Sequence, residues 1–245
     1  MIPKVIHYCW FGGKPLPESA LKCINSWKKY LPDYEIIRWD ESNFDVRAVP
    51  YISQAYDAGK YAFVSDYARF HILYHNGGIY FDTDVEVIAP VDDIIAAGPF
   101  LGCEHTLSGE VAVAPGLGIA AEPSMPFMLE LSESYRHMTF RNDDGSLNLT
   151  TIVKYTTDAL LNCGFVREDR LQQCCGFNIY PTDYFCPLDY RTGKLTITRN
   201  TRTIHHYAAT WHTPKDNWIR FKRIFFTESQ IRKISAFLDR FRRKP

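Results

Sequence analysis

The sequence lacks net charge: Lys+Arg and Asp+Glu each number 28 in a chain of 245 residues. That balance argues against a nucleic-acid partner, whose capture rests on neutralising phosphates. Long apolar runs are missing as well. No stretch free of Asp, Glu, Lys and Arg exceeds twelve residues, too short for a helix to span a bilayer. The opening MIPKVIHYCWFGG is apolar over too few residues for a signal peptide and has no small-residue cleavage site. Seven cysteines lie at 9, 23, 103, 163, 174, 175 and 186, and none forms a Cys-x-x-Cys pair. Neither a zinc knuckle nor a disulfide framework is therefore indicated. A reducing compartment, the cytoplasm, is the expectation, and the sequon at Asn148 is silent there. There are no internal repeats, low-complexity tracts or flexible linkers. The length suits one large domain, or one with an appendage, that buries a core without staples.

What the chain does have is an uneven distribution of charge. Residues 220–244 hold nine basic and two acidic residues, leaving 19 basic and 26 acidic elsewhere, so +7 in the tail opposes −7 in the remainder. Within that tail, residues 227–243 have the spacing of a basic amphipathic helix, with Ile231, Ile234, Phe237, Leu238 and Phe241 on one side. One reading is a solvated helix packed on the domain. The other is attachment to an anionic membrane surface, apolar residues at the interface and Lys/Arg on headgroups, which would make the protein peripheral on the inner membrane face.

The first 90 residues alternate strand and helix. Strands are expected at 4–11, 34–39 and from Ile79 to Ile88. Helices are expected at 16–30 (apolar at Leu21, Ile24 and Trp27), at 47–58 and at 60–76, the last stopped by Gly77-Gly78. This pattern predicts an α/β fold with a largely parallel sheet. The second half is less regular: helices at 124–138 and 147–163, short strands or tight loops in FLGCE and VAVAPGLGIAA, a loop in YPTDYFCPLDYRTGK and a β-prone run from Leu195 to Tyr207.

The chemistry concentrates in GGIYFDTDVEV, residues 77–87. Along a strand alternate residues share a face, which places Tyr80, Asp82 and Asp84 together, with the two carboxylates about 7 Å apart. Two carboxylates buried without compensation would be costly. A Mg²⁺ or Mn²⁺ ion, which prefers carboxylate oxygens and shares them with substrate phosphates, makes sense of the pair. The carboxyl end of a strand in an open α/β sheet is also where ligands bind. Asp66 and Arg69 lie three apart on the preceding helix and so share a face. They form either a structural ion pair or a polar pair aimed at the same crevice, where Arg suits phosphate or sugar hydroxyls. Trp10, which can stack on a nucleobase, closes the first strand ahead of Gly12 and Gly13, where backbone can approach a ligand closely. The late run TIHHYAATWHTP offers an imidazole to an oxygen-rich metal site. His205 and His206 point to opposite faces, so one of them joins the site, and alternation alone leaves open which.

Three stretches, IPKVIHYCWFGG, FVSDYARFHILYHNGGIYFDTDVEVI and TIHHYAATW, in this order resemble the DxD-containing sugar transferases of glycosyltransferase family 32. The pattern is also similar to the catalytic domain of the large glucosylating toxins. The resemblance covers most of residues 1–215 and implies a GT-A type nucleotide-sugar-binding fold, with residues 216–245 as a basic helical extension. It implies a nucleotide-sugar donor, UDP-sugar in preference to GDP-mannose, a divalent metal (Mn²⁺ or Mg²⁺) and retention of anomeric configuration. The implied acceptor is a saccharide or lipid-linked saccharide in surface or capsular polysaccharide synthesis. By the resemblance, Trp10 stacks on the base, and Asp66 and Arg69 contact donor sugar and phosphate. Tyr80 lines the nucleotide pocket, Asp82 touches ribose and the metal's water shell, and Asp84 binds the metal. His206 takes the place of a carboxylate metal ligand, and Trp211 covers the diphosphate.

Two alternatives fit parts of the pattern. A haloacid-dehalogenase-type phosphatase would use Asp82 as nucleophile with NDDG at 142–145 as its late acidic pair, but some 80 residues precede a motif that normally opens that domain. A carbohydrate-binding module without catalysis would use the aromatic content, 15% of residues, but leaves the paired aspartates without a task.

Overall fold

The protein is described here over residues 1–208 of a computed structural model. Trp211, the tail at 216–245 and its expected helix at 227–243 lie outside the described residues.

The first half alternates as the pattern predicts. Strand β1 (Val5–Cys9) leads to α1 (Glu18–Tyr30), β2 (Glu35–Trp39), α2 (Pro50–Asp57), α3 (Tyr61–Asn76) and β3 (Gly78–Tyr80). Helix α1 buries Ala20, Cys23, Ile24 and Trp27, a stripe at the 3–4 spacing of one helix face. Leu21, expected on that face, is 46% exposed, because Ala20 and not Leu21 continues the stripe. Helix α3 is buried nearly all round, Asp66 and Arg69 included. It stops where Gly77 and Gly78 take positive φ of 64° and 96°, a conformation that costs glycine little.

Then come β4 (Val85–Val87), α4 (Asp92–Ala96), β5 (Phe100–His105), β6 (Val111–Val113) and β7 (Ile119–Ala121). Helices α5 (Pro126–Ser134) and α6 (Ile152–Asn162) follow, then β8 (Gln172–Cys174), β9 (Phe177–Tyr180), the short α7 (Thr182–Phe185) and β10 (Thr203–His205). The helix expected at 147–163 begins at Ile152, since Leu147 instead bridges to Arg141. The segment read as loop contains α7, and of the β-prone run from Leu195 only three residues pair as strand.

The main sheet runs β2-β1-β3-β7-β5-β9-β8, with β6 beside β5. Strands β2, β1, β3, β5 and β9 point one way; β7 and β8 run against them. The central sheet is thus largely parallel and the class α/β, as the resemblance to a GT-A type fold implied. One face buries Tyr51, Phe63, Tyr67, Phe70 and Tyr80 under α2, α3, α5 and α6. The other buries Trp27, Ile79, Phe81, Phe100 and Phe185, with the last two rings stacked 4.7 Å apart. Tyr80 and its neighbours Ile79 and Phe81 fall on opposite faces, as strand alternation requires.

One departure shapes the site. The strand expected to run from Ile79 to Ile88 breaks after Tyr80. The Asp82 N–H bonds the Gly116 carbonyl (3.2 Å) and the Val85 N–H folds back to the Asp82 carbonyl (3.1 Å). The aspartates therefore sit in a turn, and β4 leaves to pair antiparallel with β10 in a two-stranded sheet. Asp is a poor strand former, and a buried tryptophan holds the far side of the break: the Trp27 indole N–H donates to the Val85 carbonyl (2.7 Å). Trp27 also packs edge-on to Tyr8 and against Phe81.

Replacing this anchor separates packing from hydrogen bonding. Trp27→Ala should cost about 3–5 kcal/mol of stability, and Trp27→Phe, which leaves the Val85 carbonyl unpaired, about 1–3 kcal/mol. Urea unfolding monitored by circular dichroism checks both; a Trp27→Phe protein as stable as wild type would show that the bond holds nothing.

Candidate active site

Strands β1, β3, β5 and β9 all end at one edge of the sheet, with Trp10, Asp82, Thr106 and Thr182 there, one or two residues past the respective strand ends. The candidate site lies at this carboxyl edge, where an open α/β sheet offers its ligand crevice.

The Asp82 carboxylate is held by two side chains. Arg69 meets it with two nitrogens, Nη1 to Oδ2 and Nη2 to Oδ1, each at 3.3 Å. The Tyr80 hydroxyl donates to Oδ1 (3.1 Å). The same guanidinium reaches Asp66 Oδ1 (3.0 Å) and the Ser65 carbonyl (3.1 Å), and it lies over the Tyr80 ring, 4.7 Å from the centroid. Arg69 is 3% exposed. Burial opposes its charge, but Asp82, Tyr80 and Asp66 more than offset this and raise its pKa. Asp66 is pushed up to about 7 by burial, with Arg69 and the N–H of Ile152, the first residue of α6, pulling against the shift. The geometry is that of the structural reading of the Asp66–Arg69 pair, a buried contact whose guanidinium ends on the first aspartate of the motif and not in the open crevice.

Asp84 is held from the opposite side. Its Oδ1 lies 3.2 Å from His205 Nε2, and its Oδ2 accepts the Ala208 N–H (2.8 Å). Burial works against its charge, but His205 and the Ala208 amide prevail and hold the pKa down at about 2. Burial likewise works against a charged His205, and the Asp84 charge outweighs it, so the imidazole pKa is raised. His206, the histidine favoured by the resemblance as a metal ligand, turns the other way and meets Glu86 at 2.8 Å. Strand β10 ends at His205 and adjacent side chains diverge, so only one of the pair reaches the aspartates; the geometry corrects the assignment to His205.

Asp82, Asp84 and His205 each present a ligand atom within 4.8 Å of the others, closer than the spacing expected of a continuous strand, because the turn folds the carboxylates together. Atoms opposite each other across an ion with bonds of about 2.1 Å lie about 4.2 Å apart. Two carboxylates with one imidazole suit Mn²⁺ or Mg²⁺ in donor type. His205 turns Nε2 toward Asp84, so that nitrogen is the imidazole atom placed to join the two carboxylates. The residues present fit a divalent cation.

Four contributors were not read from sequence. Gly116, in the turn between β6 and β7, lies so close to Asp82 that a Cβ there would overlap the carboxylate; the APGLG interruption between two apolar runs was its only signal. Behind His205, Tyr207 packs with its ring centroid at 4.1 Å and its plane tilted by 54°, and its hydroxyl contacts Glu104 (3.1 Å) and Cys186 (2.9 Å). Burial raises the Glu104 pKa against the pull of His205 and Tyr207. Trp10 and Gly12 stand outside this network, past the end of β1: the Trp10 indole N–H donates to the Lys14 carbonyl (2.6 Å), and the Gly12 N–H to Glu41 (2.6 Å). Asp143 and Asp144 of the phosphatase alternative lie exposed in the turn closed by the Arg141–Leu147 bridge.

Residues 17–101 match the model of the glycosyltransferase sugar-binding region containing a DXD motif. The chain is 29% identical over 140 residues to inositol phosphoceramide mannosyltransferase 1 of Schizosaccharomyces pombe, covering 53% of this chain and 41% of that one. It is 30% identical over 134 residues to the initiation-specific alpha-1,6-mannosyltransferase of Candida albicans, covering 51% and 34%. The chain therefore spans less than half the length of either relative. Among solved structures, PaToxG glycosyltransferase aligns over 66% of this chain and 69% of its own, at 20% identity and a TM-score of 0.47. The matched region and the two sequence relatives agree with the resemblance: the chain carries a DXD-type glycosyltransferase region, with Asp66, Arg69, Tyr80, Asp82 and Asp84 inside the matched residues.

Two outcomes follow from the geometry. Gly116→Ala should displace the Asp82 carboxylate and weaken Mn²⁺ binding roughly tenfold or more while the protein remains folded; Mn²⁺ titration by electron paramagnetic resonance checks it. For Asp66, the folded pKa near 7 lies above the ordinary carboxylate value, so stability should fall as pH rises from about 4 through 7. Asp66→Asn removes this dependence, and its stability relative to wild type should be higher at pH 8 than at pH 5 in urea melts.

Proposed function

We propose that this chain, carrying the DXD sugar-binding region, is a metal-dependent glycosyltransferase that moves a sugar from a nucleotide-sugar donor to a saccharide or lipid-linked saccharide. The observation that carries the reading is the convergence of Asp82, Asp84 and His205 at the carboxyl edge of the parallel sheet. A binding module without catalysis needs no such cluster.

In the transfer, an acceptor hydroxyl oxygen bonds to the anomeric carbon as the carbon–oxygen bond to the diphosphate breaks. The nucleoside diphosphate leaves with the electron pair, and the acceptor proton passes to one of its oxygens, so no separate base is required. Asp82, Asp84 and His205 would hold a divalent cation such as Mn²⁺ or Mg²⁺, which would supply positive charge where the leaving group gains negative charge. The protein's own part is positional. Arg69 and Tyr80 fix Asp82, and the Ala208 amide fixes Asp84, so neither carboxylate has to reorganise during the reaction. Trp10, past the end of β1, offers its half-buried ring to the base. Retention of configuration and a role in surface polysaccharide synthesis belong to the proposal through the family resemblance. UDP is the first reading of the nucleotide, on the Trp10 pattern. GDP-mannose is the second, favoured by the relatives named for mannosyl transfer.

Calorimetric titration of UDP and of GDP, each with and without Mn²⁺, tests the reading. One nucleotide should bind only with the metal, and Asp84→Ala should abolish that binding; failure of both nucleotides under all conditions would overturn it. Attachment of the basic tail to an anionic membrane surface is a separate proposal that rests on charge and spacing alone. Full-length protein should sediment with phosphatidylserine vesicles more than a chain ending at Thr227; equal sedimentation would overturn it.

A further inference from the structure

A cavity lies on the opposite side of the aspartates from Trp10. Its volume is about 160 Å³, and its walls include His105, Asp183, Asp189, Tyr190, Thr196 and Tyr207. Three features connect it to the candidate site. His105 is the last residue of β5, and Asp183 lies in α7 directly after β9, so the cavity opens at the same carboxyl edge as the DxD turn. In the sheet order β5 and β9 lie on one side of β3 while β1 and Trp10 lie on the other. Tyr207 is a wall common to both sites: one side of its surroundings is the His205 ring at 4.1 Å, another is Tyr190 at 5.0 Å.

The position of Tyr207 is costly to maintain. Its φ is 50°, in the left-handed region that non-glycine residues seldom occupy. Its hydroxyl is tied to Glu104 and Cys186, which fixes the ring between the candidate metal ligand and the cavity. Strain held this firmly is typical of a functional position.

The lining selects a chemical class. Tyr190 and Tyr207 offer an aromatic platform, and Asp183, Asp189 and Thr196 offer polar oxygens. A platform with a few oriented polar groups suits a sugar ring, with its apolar face on the aromatics and its hydroxyls on the acceptors. Asp183 is oriented by Thr198 and Asn200, both bonding Oδ2. Asp189 is oriented by Arg191 at 2.8 Å and its pKa is held at about 2. Glu104 lies behind Tyr207 and Asp169 sits 3.7 Å from His105, so carboxylates predominate around the cavity and disfavour an anionic ring. The volume is below the roughly 300 Å³ at which whole-ligand pockets begin, too small for a complete nucleotide sugar.

We propose that this cavity is the acceptor subsite and holds one neutral pyranose ring, one aromatic ring's distance from the cation site. The inference rests on the transferase reading and adds to it the place and class of the acceptor.

Saturation-transfer NMR with the methyl glycosides of glucose, galactose, mannose, N-acetylglucosamine and glucuronic acid tests it, with wild type, Tyr190→Ala and Thr196→Trp. Thr196 is exposed, so its tryptophan variant fills the mouth without disturbing the core. At least one neutral glycoside should be saturated by wild type. Both variants should lower that signal about fivefold or more, while Mn²⁺-dependent nucleotide binding, read by calorimetry, stays as in wild type. The proposal is overturned if wild type binds nucleotide but saturates none of the neutral glycosides, if either variant keeps the full signal, or if the glucuronide binds best. Loss of nucleotide binding in wild type would sink the transferase reading instead, and a glycoside signal abolished by both variants would still assign the cavity to a sugar.

Discussion

The site depends on one buried cation. Arg69 places its guanidinium between Asp66 and Asp82, over the Tyr80 ring, with almost no exposure. Taking such a group out of water costs several kcal/mol, and removing one partner of a buried pair costs about 3–5 kcal/mol. The arrangement holds because the guanidinium fork matches Asp82 with two nitrogens and still reaches Asp66 and the Ser65 carbonyl. Helix α3 carries both Asp66 and Arg69, so the helix that packs under the sheet also delivers the charge that holds the first aspartate of the motif.

The break in the sheet follows from the same constraint. With Asp82 drawn to Arg69 and its N–H given to Gly116, the chain turns at Thr83 and Asp84 rather than extending. Trp27 takes the Val85 carbonyl from the opposite face of the sheet, and β10 pairs with β4 so that His205 arrives beside Asp84. Each carboxylate thus has its own positive partner, Arg69 for one and His205 for the other. The two partners differ in kind. Arg69 is enclosed and permanently charged, whereas His205 can give up its proton and serve as a ligand through Nε2, the nitrogen that faces Asp84.

Much of this was legible in the sequence because it is local. The alternation of strand and helix, the glycine stop after α3, and the shared face of Asp66 and Arg69 depend on spacings of four residues or fewer. The motif GGIYFDTD located the site for the same reason. What sequence patterns did not disclose is long-range. Choosing His205 over His206 required the register of β10 on β4, some 120 residues away, and Gly116 mattered only through its contact with Asp82. The extension of the strand through both aspartates was expected from apolar alternation, which is blind to a carboxylate captured by a helix behind the sheet. Leu21 shows the same limit at small scale: its hydrophobicity suggested burial, and the phase of α1 set by Trp27 turned it to solvent.

The central claim is that Asp82, Asp84 and His205 form one cation site whose third ligand is set by β10. The most direct measurement is Mn²⁺ affinity by water-proton relaxation for wild type, His205→Ala and His206→Ala. The account predicts that His205→Ala weakens Mn²⁺ binding about tenfold or more while His206→Ala binds as wild type does. Weakening by His206→Ala with His205→Ala unaffected, or full affinity in both variants, would contradict it.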